Sequence, residues 1–145
     1  MRLLAVTVLS SLAWAGCSMA AADRPLQIEL GQRFSLKMGE VAQTRDGAWR
    51  VGFEGVSADS RCPKGEQCVW AGDATARVWL QAGAAPREAR ELHTMPGRAP
   101  ASSAPGPELR LLQLDPYPVT AKMPVQSDYV LTLMLSPAAA PQADR

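Results

Sequence analysis

The chain has 145 residues, a formal net charge of +1 and 47% hydrophobic residues, enough for one domain with its own core. Arg2 is the only basic residue in 1–22, so the remainder carries fourteen basic (15 − 1) and fourteen acidic side chains; with no basic stripe, nucleic acid and anionic lipid headgroups are excluded as charge-driven partners. Eleven glycines, twelve prolines and four tryptophans favour short strands and turns around a few large rings over long helices.

Residues 1–22 read as a secretory signal. Arg2 supplies a positive start, and Leu3 to Ala15 is an apolar run interrupted by Thr7, Ser10 and Ser11, too short for a comfortable membrane span. Two cleavage sites compete. Ala15-Gly16-Cys17-Ser18 resembles a lipoprotein box, with a signal over 1–16 and Cys17 as the acylated first residue, although Trp14 stands where an aliphatic residue is usual. Ala20-Ala21-Ala22 is a small-x-small site that releases the body at Asp23 and discards Cys17. Either cut removes Cys17 from the free thiols and leaves the other two cysteines to oxidise outside the cytoplasm. The expected location is the periplasm, or the outer membrane through a lipid anchor.

After a tether at 23–26, the even positions Ile28, Leu30, Phe34, Leu36 and Met38 are apolar and the odd ones are polar or glycine. That period of two predicts a half-buried strand, or two strands kinked near Gly31. Thr44-Arg45-Asp46-Gly47 carries the Asp-Gly signal of a hairpin turn. Trp49, Val51 and Phe53 then alternate with polar residues and glycine as far as about Val56.

The stretch Asp59–Asp73, DSRCPKGEQCVWAGD, organises the rest. Five turn-prone or polar residues separate Cys62 from Cys68, so the chain can double back and join the two sulfurs. Zinc is the rival reading, but it needs about four ligands and the chain has a single His. A bridge over so short a loop contributes about 2 kcal/mol, enough to fix a loop and not to replace a core. Most of the charged side chains here are expected to face water, and Trp70 is expected to fold down beside the disulfide and plug the end of the sandwich.

Ala74, Ala76, Val78 and Leu80 alternate again and place Trp79 on the opposite face, where a covering loop is expected. Arg87 to Thr94 carries charges on both faces, which suits a sheet edge. Residues 96–107, PGRAPASSAPGP, read as a mobile loop. The adjacent Leu111 and Leu112 break the alternation of a strand over 109–114 and predict a bulge. Asp115-Pro116-Tyr117-Pro118 turns the chain and presents Tyr117 between prolines. Tyr129, Leu131, Leu133 and Leu135 form the last strand, and 137–145 is a disordered tail. Residues 23–136 are thus expected to form a single all-β domain. It is an immunoglobulin-like two-sheet sandwich of six or seven short antiparallel strands, with a small β-barrel as the alternative.

Asp59-Ser60-Arg61-Cys62-Pro63, Cys68-Val69-Trp70-Ala71-Gly72 and the later Pro116-Tyr117-Pro118 resemble a recurring pattern in small exported bacterial proteins and lipoproteins. The resemblance is specific in the stapled loop and loose over about residues 34–135. It implies export, the Cys62–Cys68 disulfide and a β fold, and it carries no activity.

No catalytic constellation stands out. His93 is the one His, with no triad motif near it, and no spacing selects a pair of carboxylates or a phosphate-cradling loop. The protein is expected to be non-enzymatic and without a cofactor. The sharpest chemical alternative is a copper carrier: His93 and Met95 lie two residues apart, and Met38 or Met123 would complete a soft site for Cu(I), although methionines more often fill cores. Calcium held by Asp59, Glu66 and Asp73 is a weaker reading, since Asp59 and Asp73 flank turns where carboxylates are expected to bond backbone amides, and so is a protease-inhibitor bait loop around Lys64. The leading expectation is an envelope protein that binds an envelope protein or ligand, or serves a structural role. Lys64, Trp70 and Tyr117 are its candidate contact residues.

Overall fold

Period-two patterning dominates the body and gives eight strands among the described residues: β1 (Leu26–Ile28), β2 (Arg33–Lys37), β3 (Val41–Thr44), β4 (Trp49–Asp59), β5 (Ala74–Ala82), β6 (Glu88–His93), β7 (Glu108–Asp115) and β8 (Val130–Ser136). The computed structural model describes residues 24–95, 97 and 106–138. The expected signal with Cys17, most of the 96–107 loop and the tail beyond residue 138 lie outside the described residues.

Two sheets form, in the orders β1-β3-β4-β5-β6 and β2-β8-β7. Neither closes on itself, so the fold is a two-sheet sandwich and not a barrel. The apolar stretch from Ile28 splits as its glycine suggested. Gly31 takes φ +81° between β1 and β2, and the chain crosses there from the larger sheet to the smaller. β1 adds a short parallel pairing with β3 to strands that are otherwise antiparallel.

The inner faces of both sheets share one core. Val51, Phe53, Val78 and Leu80 of the larger sheet and Leu36, Leu131, Leu133 and Leu135 of the smaller are all essentially inaccessible to water. The register of β7 slips between Leu111 and Gln113. Leu112 therefore falls in the bulge its sequence pattern predicted, and it is pushed to the surface. β6 is an edge strand, as its charges on both faces implied.

Trp79 does point away from the core, yet it is only 7% exposed. Its cover is two residues, not a loop alone. Gly52 lies directly across from it on β4 and has no side chain, so the indole lies flat on the sheet. A Cβ at Gly52 would sit 2.2 Å from the ring. The Arg87 guanidinium stacks on the indole 4.1 Å from its centroid.

The pairings also set polarity. Asp59 pairs with Ala74, Thr75 with His93, Lys37 and Asp115 with Val130, and Leu26 with Ala42 in parallel. The ends of β2, β4, β6 and β7, and the starts of β1, β3, β5 and β8, therefore face one pole. The stapled loop between β4 and β5 overhangs that pole.

Candidate functional site

The β4–β5 hairpin does not stop where its strands do. Ser60 N donates to Asp73 O at 2.7 Å and Cys62 N to Ala71 O at 2.9 Å, so a narrow ladder runs on to the disulfide. The Ser60 hydroxyl reinforces it, donating to Asp73 O and accepting from Asp73 N. Gly72 makes the close approach feasible. Its φ is +72°, and a Cβ there would lie 1.8 Å from the Ser60 carbonyl oxygen. Cys62 and Cys68 are bonded, with Cα atoms 5.9 Å apart, as the spacing predicted.

The base of this projection is locked by charge. In a stretch most of whose charges are expected to face water, the Asp59 and Arg61 side chains are 3% and 5% exposed, and Asp59 Oδ1 accepts from Arg61 N at 3.2 Å, the turn amide expected of it. The guanidinium grips the carboxylate with two prongs, Nε to Oδ1 at 2.9 Å and Nη2 to Oδ2 at 2.6 Å. Its remaining donors reach the opposite sheet: Nη1 to Leu114 O at 2.7 Å and Nη2 to Pro116 O at 3.0 Å. The Tyr129 hydroxyl donates to Asp59 Oδ2 at 2.9 Å. One ion pair thus ties the end of β4 to the end of β7 and the start of β8. Burial pushes the Asp59 carboxyl up, but hydrogen bonds from Arg61 and Tyr129 outweigh it and hold it below the ordinary 3.8. Burial, followed by the hydrogen bond to Asp59 and then that carboxylate's charge, pushes the Tyr129 phenol up to about 12.

This network explains why Trp70 does not plug the sandwich. The end of the core is already filled by Arg61, Asp59 and Tyr129, and Trp70 lies beyond the last ladder pair. Val69 and Trp70 are 90% and 82% exposed, and the expectation that Trp70 packs against the core is corrected accordingly. The rest of the loop is docked. Lys64 N donates to Pro118 O, and Thr120 donates to Lys64 O through both its backbone N and its hydroxyl. Arg61 and Lys64 place their charges 4.8 Å and 5.6 Å from the Tyr117 ring centroid. Lys64, Trp70 and Tyr117 therefore share one pole. Exposed Val119, Met123 and Val125 follow Tyr117 in the same segment.

The other candidates separate. His93 and Met95 line one groove between β6 and β7, whereas Met38 lines a groove beside Trp79, and exposed Met123 follows the 117–120 turn. His93 Nδ1 lies 2.7 Å from Asp73 Oδ2. Asp73 Oδ1 accepts from the Thr94 hydroxyl and from Met95 N, each at 2.9 Å. Burial pushes Asp73 up, and these hydrogen bonds, led by that of His93, bring it below 3.8. The carboxylates proposed for calcium serve two separate networks, Asp59 with Arg61 and Asp73 with His93, while Glu66 lies on the exposed loop. Among the described residues, no group of three His, Cys, Asp or Glu side chains is placed to hold a metal ion.

Sequence reasoning passed over Arg61, Tyr129 and Thr94. The available signal was Asp59-x-Arg61 at the mouth of a disulfide loop, a spacing at which one guanidinium can turn back on one carboxylate. Comparison with family models, curated proteins and solved structures found no match to this chain.

Proposed function

We propose that this chain is a non-enzymatic, exported protein of the cell envelope that binds another envelope component through its stapled pole. The observation that carries the reading is the 82% exposure of Trp70, next to the last ladder pair of a hairpin held by a disulfide and a buried ion pair. A large ring displayed on a fixed support loses little freedom on binding, and Trp is among the residues that dominate contact energies. Tyr117 and Lys64 at the same pole extend the surface. Export and the disulfide support each other, since such bonds persist outside the cytosol.

A photo-crosslinking residue at position 70, expressed in intact cells, tests the reading. Discrete adducts from position 70, and none from exposed Arg45 at the opposite pole, are expected. Equal or absent labelling at the two positions counts against it.

One observation favours a second reading, a periplasmic copper carrier. The Asp73 carboxylate at His93 Nδ1 leaves Nε2 as the ligating nitrogen, the arrangement in which metal-bound imidazoles are commonly held, and Met95 lines the same groove. Cu(I) titration under reducing conditions decides: binding tighter than about micromolar that His93→Ala abolishes supports it, and binding indifferent to His93→Ala removes it.

A further inference from the structure

We infer that the occupant of the stapled pole is a lipid bilayer, with Val69 and Trp70 seated in its interface. The inference deepens the envelope reading above and rests on acylation of Cys17.

Topology supplies the first argument. β1 runs away from the stapled pole, because it is parallel to β3, whose start faces that pole. Traced backwards from Leu26, the chain therefore heads toward the side on which Trp70 is displayed. An acyl chain at Cys17 would draw this same pole to the membrane.

Length supplies the second. Leu26 is level with Ala42, Val51 and Leu80 across the sheet. From Leu80, β5 runs six residues to Ala74, or about 20 Å at strand rise, and the ladder adds three more residues to Ala71 through Gly72, which is not extended at φ +72°. From Leu26 back to Cys17 is also nine residues, with a maximum reach of about 30 Å. A fully extended tether exceeds the overhang by at most about 10 Å. A body hung from Cys17 with this pole toward the bilayer brings Trp70 to the lipid surface once the tether falls about 10 Å short of full extension, and pushes it in when the tether is shorter still.

Chemistry supplies the third. Between the disulfide and the last ladder pair the loop displays one aliphatic and one aromatic side chain, both almost fully exposed. Trp favours the boundary between headgroups and acyl chains, where its ring is apolar and its N–H finds a partner. The stapled loop itself carries one charge of each sign, Lys64 and Glu66, so no cationic cluster there selects anionic headgroups.

The test uses the mature protein purified from cells and reconstituted into phosphatidylcholine vesicles brominated on their acyl chains. Bromine quenches only indoles that enter the bilayer. Trp emission is expected to be quenched in the wild type, with the quenched share lost in Trp70→Ala and retained in Trp49→Phe, whose ring lies at the far pole. Val69→Ser should weaken the quenching, and raising the salt or adding phosphatidylglycerol should leave it unchanged. A mature mass beginning at Asp23 removes the tether and overturns the inference, as does an acylated, vesicle-bound protein with Trp70 unquenched. If that unquenched protein still gives protein adducts from position 70 in cells, the envelope-binding role stands and only the bilayer falls. If adducts are absent too, both fall.

Discussion

Arg61 is the residue on which the stapled pole depends. Four of its hydrogen bonds bind Asp59, Leu114 and Pro116, and the pair is shut away from water. Replacing it by Met should cost about 3–5 kcal/mol in urea unfolding, because a carboxylate is left buried without its partner. The pH dependence follows from the same groups. Asp59 and Asp73 are held below their ordinary value, so their contribution is complete above the unfolded carboxylate range near 4. It is lost as pH falls through the lower folded values. Tyr129 is raised to about 12, so its contribution is complete below about 10 and disappears as pH rises toward 12. Tyr129→Phe should cost about 1 kcal/mol at neutral pH and lessen the alkaline fall, read as the difference between the two stability–pH curves. None of this was legible from pattern alone. Charged residues are assigned to water unless a partner is visible, and the partners here include carbonyls more than fifty residues away.

At the scale of elements, alternation was a sufficient guide wherever one face of a strand is buried. It placed the kink at Gly31, the hairpin at Asp46-Gly47 and the bulge at Leu112. It offered two strands about Gly31 but not the bounds of the first, since β1, Leu26–Ile28, has three residues and too little period to fix its start. It also could not assign Trp70, which follows the last ladder pair and belongs to no strand. Trp79 was placed on the correct face, but its burial depends on Gly52, a contact between strands that a single-strand reading does not contain. The ladder beyond β4 and β5 depends on Gly72. Gly72→Ala sets a Cβ against the Ser60 carbonyl at a backbone angle that side chains avoid. It should cost at least about 1–3 kcal/mol and raise amide exchange at Cys62 and Ser60, with slow exchange preserved at Val51 and Leu131.

For the whole molecule, the disulfide secures the pole and the shared core secures the sandwich. The Cys62→Ser, Cys68→Ser double variant should lose about 2 kcal/mol and remain folded, with near-ultraviolet ellipticity from Trp79 unchanged. Global unfolding would show instead that the loop carries the fold. The proposed contact role of the pole is tested most directly by hydroxyl-radical footprinting of the three body tryptophans, first in purified protein and then in intact cells. Trp70 should be the most rapidly oxidised in solution and strongly protected in the envelope, while Trp49 and Trp79 keep the same low rates in both. Equal oxidation of Trp70 in the two settings would contradict a stapled pole built to be covered.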